Sequence, residues 1–195
     1  MIDKIKKLVN QLKMFPGVGD KSAKRMVYFL LNQGPEKINK LSEEIKDLNN
    51  IKKCKTCGVF TEDELCKYCS SDIRNDNIIC VVEVFNDVQA IEDTGVYNGV
   101  YHILGGHISP VDGIFLDDLN IDSLFDRIDE DTEEIIIATN PNLEGEATAN
   151  YLVEQLSSYD LKITKLATGL PMGGDLSILN QNTIKNSLKN RFDTK

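Results

Sequence analysis

Four cysteines, arranged as two Cys-x2-Cys pairs, constrain the fold of this chain more than any other feature. Eight residues separate the two pairs in the segment CKTCGVFTEDELCKYC. Each pair closes a tight turn that directs two thiolates at one point, and two such turns complete the tetrahedral sulfur shell that suits zinc. Because the protein fills every ligand position, the predicted Zn²⁺ ion, one per chain, is structural. The predicted ligands are Cys54, Cys57, Cys66 and Cys69.

Two alternatives for these cysteines are a pair of disulfide bonds and a redox Cys-x-x-Cys motif. Disulfides need an oxidising compartment, and a redox motif needs only one pair beside a βαβ unit. The first residues, MIDKIKKLVNQLK, form an amphipathic pattern rather than an apolar signal, and the longest apolar runs are far too short to cross a membrane. We therefore expect a reducing, cytoplasmic location without membrane association, and a packed core position for the fifth cysteine, Cys80.

The charge of the chain is unevenly distributed. Its net charge of −9 argues at first against a nucleic-acid partner. However, residues 1–55 carry a net charge of +7 and residues 56–195 a net charge of −16. The basic first quarter could bind phosphates, while the acidic remainder could bind a basic protein; alternatively, both are ordinary solvated surfaces.

The hydrophobic pattern changes from helical to alternating strand and helix at Ile78. Before this point three amphipathic helices are predicted; after it, apolar runs such as IICVVEV and EIIIAT are typical of strands in a parallel sheet. Helices are expected near Ile121–Ile128, Glu144–Leu156 and Thr183–Phe192, with Asn86 capping a shorter one. The predicted fold is α/β with an N-terminal all-α part, organised as residues 1–53, a zinc knuckle at 54–69, a sheet domain at 77–172 and a C-terminal helix at 173–195.

The segment PGVGDKSAKR joins the first two predicted helices through a two-glycine turn. Glycines allow backbone amides at a helix N-terminus to approach an anion closely, and the helix dipole favours phosphate there. The segment resembles a helix-hairpin-helix, which binds the DNA backbone without reading sequence; the alternative is a helical turn that needs glycine only for its dihedral angles. The candidate DNA-binding residues are Gly17, Gly19, Lys21, Lys24 and Arg25.

Polar residues cluster where the strand EIIIAT ends and the helix of NPNLEGEATANYL begins. Ligands and metals bind at this carboxyl end of a parallel sheet. The segment resembles the acidic motif of toprim domains, in which a D-x-D pair, an E-G-E run and a glutamate after the first strand hold Mg²⁺ for phosphoryl transfer. Because two asparagines replace the aspartates, we expect weak Mg²⁺ binding at most, and the asparagines could simply cap the helix. The predicted cluster comprises Glu83, Asn140, Asn142, Glu144 and Glu146.

The order of these motifs, together with YHILGGHISPVDG and ATGLPMGGDL, resembles the bacterial RecR family over almost the whole chain. The resemblance implies a non-enzymatic protein of DNA repair and recombination. Such proteins form ring-like homotetramers that can encircle single-stranded, gapped or double-stranded DNA. They act with RecO and RecF at single-strand gaps so that RecA can load, and acidic residues of the toprim cluster help to hold RecO.

The chain departs from the family pattern after the first toprim strand. Val84, Phe85 and Asn86 stand where the family usually has an acidic residue, a proline and a basic residue, so the loss of a charge pair affects the expected partner contact. Two other function classes are considered: an active Mg²⁺-dependent nuclease or primase-like enzyme, and a zinc-stabilised protein adaptor that does not bind DNA. His102 and His107 are expected to be packed or surface side chains rather than ligands.

Overall fold

Three amphipathic helices form the first of two structural units in the computed structural model, which describes residues 2–193. The chain divides after Ile51. The helices are α1 (Asp3–Leu12), α2 (Asp20–Gln33) and α3 (Pro35–Asp47), followed by a short 3₁₀ helix at Leu48–Asn50. The core of this unit is small: Val9, Ala23 and Val27 are buried, and Ile5, Leu12 and Val18 pack against them.

The second unit begins with the cysteine segment, which is framed by a short antiparallel hairpin. Strand β1 (Lys52–Lys53) pairs with β2 (Phe60–Thr61). The segment does not form a separate core. Three of its cysteines, together with Val59 and Tyr68, belong to the same buried cluster as Cys80 and Tyr101 of the following sheet domain. The zinc segment and one face of the sheet therefore pack as one body.

The sheet has four parallel strands: β3 (Asn75–Val82), β4 (Gly99–Ile103), β5 (Glu134–Ile137) and β6 (Lys162–Lys165). Their order is β4-β3-β5-β6. The central strands carry continuous apolar runs because helices or the zinc segment cover both of their faces. The helices are α4 (Phe85–Glu92), the single turn α5 (Asp122–Phe125), α6 (Leu143–Leu156) and α7 (Gln181–Lys189), with 3₁₀ helices at Leu116–Asp118 and Leu176–Ile178. This is the predicted α/β fold with a leading all-α part.

Strand β4 forms one edge of the sheet, and groups from other segments form hydrogen bonds with its backbone there. The Ile103 amide donates to the carbonyl of Cys57 at 2.8 Å. The side chains of Arg74 and Arg127 donate to the carbonyls of Gly99 and Tyr101, each through Nη1. The zinc segment and two arginines therefore occupy hydrogen-bonding groups along this edge.

Three predicted element boundaries were wrong. Asn86 lies in the first turn of α4; the cap is Val84, whose amide donates to the Asp87 carboxylate at 2.9 Å. The helix expected at Ile121–Ile128 is one turn long, because the amides of Arg127 and Ile128 bond three residues back and tighten the chain into a turn. The last helix begins at Gln181, capped by the Asn180 side chain, and ends at Lys189. Residue 1, at the start of the predicted 1–53 region, lies outside the described residues, as do residues 194 and 195 at the end of the predicted 173–195 region.

Candidate functional sites

The four cysteines of the zinc knuckle converge on one point. Their sulfur atoms all lie within 4.8 Å of one another, and the Sγ atoms of Cys57 and Cys66 are 3.4 Å apart. A tetrahedral zinc site with Zn–S bonds of about 2.3 Å places its sulfurs about 3.8 Å apart, so the arrangement fits the ion closely.

Local backbone bonds hold each cysteine turn in shape. The Gly58 amide donates to the Cys54 carbonyl at 3.0 Å, and the Ser70 amide donates to the Cys66 carbonyl at the same distance. Gly58 has φ of 78°, a conformation that other residues adopt at a cost. The turns are therefore shaped by the backbone as well as by the metal that they are suited to bind.

Tyr68, which lies between the last two cysteines, connects the zinc knuckle to a partly buried ion pair. Its ring packs edge-on against Tyr101 at 5.2 Å, and the Arg74 guanidinium lies 4.7 Å from its centroid. Arg74 binds both carboxylate oxygens of Glu92, and the Tyr101 hydroxyl donates to the same carboxylate. The Tyr68 hydroxyl is buried and has no hydrogen-bond partner among the described residues.

Glu83 is the centre of the predicted toprim cluster, and only 3% of it is exposed. Asn140 donates to both of its oxygens, through the backbone amide at 2.7 Å and through Nδ2 at 2.8 Å. His107 Nδ1 lies 2.9 Å from Glu83 Oε2. Burial alone would raise the pKa of Glu83, but the hydrogen bonds from His107 and Asn140 outweigh it and lower this pKa below its ordinary value. The carboxylate is therefore satisfied by neutral donors and a histidine.

Asn142 has a different role from Asn140. It is the N-cap of α6, since its Oδ1 accepts the Gly145 amide at 2.7 Å. The alternative that both asparagines cap the helix is thus right for Asn142 and wrong for Asn140. Gly145 is required by space: a Cβ there would lie 2.1 Å from the Asn140 carbonyl oxygen and 2.8 Å from Glu83 Oε1.

The other two carboxylates of the cluster do not join Glu83. Glu146 pairs with Lys165 at 2.5 Å, and Glu144 is only partly buried at the start of α6. Within residues 2–193, the four cysteines are the only group of three or more cysteine, histidine or acidic side chains close enough to share a metal ion. The three glutamates therefore do not form a ready-made magnesium site.

His107 is a partly buried side chain, as expected, but sequence reasoning missed its contact with Glu83. Its position gave a usable signal. It follows Gly105 and Gly106 just past β4, and the carboxyl ends of parallel strands meet at one edge of the sheet. His102 is packed as expected: it is buried, its Nε2 lies 2.6 Å from the Asn120 carbonyl oxygen, and burial lowers its pKa to about 4.

The two-glycine turn precedes α2 as the sequence predicts. Gly17 has φ of 74°, which favours glycine, and Gly19 is the extended N-cap of the helix. A Cβ at either position would meet no atom within 4 Å, so the backbone here is open. Lys21 and Arg25 are exposed, whereas Lys24 forms an ion pair with Asp20 at 2.5 Å.

Comparison with known proteins identifies the family over the whole chain. Family models match as RecR helix-hairpin-helix at residues 5–48, the RecR zinc finger domain with four cysteines at 51–71 and toprim domain at 77–167. The recombination protein RecR of Tropheryma whipplei strain Twist is 42% identical over 96% of each chain. This chain belongs to the RecR family. The RecR proteins of Acidothermus cellulolyticus and Psychrobacter cryohalolentis are 43% and 44% identical to it over 96% of this chain. The matched regions cover 95% and 96% of those two proteins.

Family and geometry together confirm several predictions. The chain has the helix-hairpin-helix, four-cysteine zinc finger and toprim regions of a RecR protein, and its four cysteines lie close enough together to bind one metal ion. A role in DNA recombination and repair follows from membership of the family. Among the described residues, no helix is both long and apolar enough to span a bilayer.

Proposed function

We propose that this RecR-family chain is a non-catalytic DNA-binding mediator that helps to load RecA at single-strand gaps. In this proposal it acts in the cytoplasm as a ring-like homotetramer around single-stranded, gapped or double-stranded DNA, together with RecO and RecF. DNA binds at Gly17, Gly19, Lys21, Lys24 and Arg25, and the toprim cluster contributes to the contact with RecO.

The observation that carries the non-catalytic part is the state of Glu83. A catalytic toprim site presents carboxylates with free lone pairs to Mg²⁺, which requires negatively charged oxygen ligands. Here both Glu83 oxygens accept bonds from Asn140, and His107 lies against one of them. To admit a cation, the hydrogen bonds to the buried Glu83 carboxylate would have to be broken, which is costly. The Glu83 cluster is therefore better suited to a fixed shape than to metal chemistry.

The DNA-binding part is supported by the geometry of the two-glycine turn. Amides at the start of α2 have no hydrogen-bond acceptor within the helix, and the open space around Gly17 and Gly19 lets a phosphate approach them. Exposed Lys21 and Arg25 follow within a turn and a half, close enough to pair with neighbouring phosphates. Because Lys24 already pairs with Asp20, we expect it to contribute less than the other two.

A native gel at low salt tests both parts at once. Gapped linear DNA and supercoiled plasmid are incubated with the protein and Mg²⁺, with and without EDTA. Shifted but chemically intact DNA is the expected result. Nicked or shortened DNA that is absent with EDTA would establish an enzyme and contradict the argument from Glu83; no shift and no cleavage would favour an adaptor that does not bind DNA.

Charge reversal in the helical unit locates the DNA contact. Lys21→Glu with Arg25→Glu should weaken binding at least tenfold for every DNA sequence and flatten the dependence of affinity on salt, because fewer counterions are released. Lys40→Glu with Lys46→Glu makes the same change of charge on exposed residues of α3. Equal losses in both double variants would mean that only net charge matters, and would remove the hairpin assignment.

A further inference from the structure

A short hairpin at residues 109–116 follows His107 and is tightly braced. The amides of Ser109 and Ile114 each donate to the other residue's carbonyl, at 3.0 Å and 2.9 Å. The Asp112 amide donates to the Ser109 carbonyl at 3.0 Å, and the Ser109 hydroxyl donates to the Asp112 carboxylate at 2.5 Å. Gly113, with φ of 73°, completes the turn. These bonds fix the shape of the 109–116 hairpin.

The 109–116 hairpin is anchored on one side and apolar on the other. Ile108 and Ile114 pack against the main core of the sheet domain, and the Ile108 amide donates to the Thr148 hydroxyl of α6. In contrast, Val111 is 97% exposed and Phe115 is 56% exposed. A braced turn that holds apolar side chains in water is ready to bind, because little conformational entropy is lost when a partner covers them.

The sequence that carries these apolar side chains is acidic. Residues 108–126 include five aspartates and no lysine, arginine or histidine. Asp112 and Asp118 accept hydrogen bonds within the segment, from Ser109 and from the Phe115 amide. The side chains of the other three have no ion-pair partner among residues 2–193. These three are Asp117, Asp122 and Asp126.

We propose that the 109–116 hairpin is a docking surface for a cationic segment of a partner protein, with apolar side chains that pack on Val111 and Phe115. Charge complementarity selects this occupant. The phosphates of nucleic acid and the headgroups of anionic lipids would face unpaired carboxylates, whereas lysine or arginine would neutralise them. The surface lies outside the toprim cluster and the two-glycine turn, so it does not depend on the DNA contact proposed above.

A peptide probe tests this chemistry on the full chain. The probe is a fluorescent amphipathic helix made only of lysine and leucine, and its binding is followed by anisotropy at physiological salt. Val111→Ser with Phe115→Ser should weaken binding at least tenfold, since apolar contact is lost without any change of charge. The matched control is Ile73→Ser with Val96→Ser, which removes two other highly exposed apolar side chains of the same unit and should change affinity less than twofold.

Substitution of the aspartates is the second part of the peptide-binding test. Asp117→Asn with Asp122→Asn should weaken the peptide and reduce its salt dependence more than Glu154→Gln with Asp160→Asn, a matched change at exposed carboxylates elsewhere in the unit. Thermal unfolding of each variant verifies that it is folded.

Three results would overturn the docking proposal. The first is a wild-type protein that does not bind the peptide. The second is equal binding by the hairpin variants and their controls, which would indicate diffuse attraction to an acidic surface. The third is loss of affinity for single-stranded DNA by the Val111→Ser, Phe115→Ser protein, which would make the hairpin a nucleic-acid contact. Since the gel shift of wild-type protein is measured separately, failure here is distinguishable from failure of the proposed function.

Discussion

The zinc knuckle and the Glu83 cluster solve the problem of buried negative charge in opposite ways. The knuckle brings four sulfur ligands within 4.8 Å of one another, an arrangement that only a cation stabilises. The cluster isolates one carboxylate and surrounds it with hydrogen-bond donors from Asn140 and His107. The comparison shows that a constellation of metal-binding residue types can keep its shape without a metal when amide donors replace some of its acids.

Breaking the zinc site should produce the largest effect. Cys66→Ser removes one ligand from a group that has no other compensation, and zinc binding contributes on the order of 10 kcal/mol in small zinc domains. We expect loss of bound zinc and cooperative unfolding of the second unit, measured by metal analysis and circular dichroism. Cys80→Ala is the control: it alters a buried cysteine of the same cluster but should retain the metal. A native Cys66→Ser protein without zinc would contradict the structural role.

Converting the Glu83 cluster toward a metal site should give the next largest effect. Asn140→Asp replaces the Nδ2 donor with a second carboxylate beside Glu83, and we expect a loss of about 2–4 kcal/mol in the free energy of unfolding. Mg²⁺ should restore part of this loss and should not affect the wild type. Asn142→Asp is the matched control, because aspartate caps a helix as well as asparagine and should change stability by less than about 0.5 kcal/mol. Urea unfolding with and without Mg²⁺ measures both.

Removing the charge of Glu83 should have a smaller, pH-dependent effect. Glu83→Gln leaves one of the donors without an acceptor, which costs about 1–3 kcal/mol at neutral pH. Because the pKa of Glu83 is lowered in the folded state, its ionisation stabilises the protein above the unfolded value of 4.5, and this contribution is lost as the pH falls through the folded pKa.

The difference in stability between wild type and Glu83→Gln should therefore shrink below about pH 4.5. Urea midpoints at several pH values measure this difference. Zinc release at low pH destabilises both proteins alike, so it does not contribute to the difference between them. A penalty that is constant over this pH range would mean that hydrogen bonds to Glu83 do not favour its ionised form.

The smallest predicted effect tests the packing around the zinc knuckle. Tyr68→Phe removes a buried hydroxyl that has no partner within the described residues and keeps the ring contacts with Tyr101 and Arg74. We expect a gain of up to about 1 kcal/mol and unchanged zinc content. A loss of stability on this substitution, measured by thermal unfolding, would indicate that the hydroxyl has a partner such as an ordered water.

The sequence predicted those parts of the molecule that depend on local spacing. The ligands of the zinc knuckle and the strands of the sheet follow from periodicity and from cysteine separation, which act over a few residues. The different roles of Asn140 and Asn142 do not follow from local spacing. Both are asparagines beside the same helix start, and only the position of Glu83, 57 residues away in the chain, makes Asn140 a donor to a carboxylate.

Helix ends were less predictable than helix cores for a related reason. The Ile121–Ile128 pattern has helical spacing, but the chain turns after Phe125 and Arg127 reaches the carbonyl of Tyr101 in β4. A tertiary contact of this kind is not encoded in local periodicity. His107 escaped notice because its role depends on two strands ending side by side.

The hydrogen bond from Ile103 to the carbonyl of Cys57 has a consequence for the behaviour of the protein in solution. A bare edge strand can pair with the edge of another molecule, and such pairing seeds aggregates. At the opposite edge, β6 begins and ends with lysine, whose charges discourage this pairing. At β4 the cysteine turn provides the cover, so loss of the metal should expose this strand and make the chain prone to aggregate through intermolecular strand pairing as the second unit unfolds.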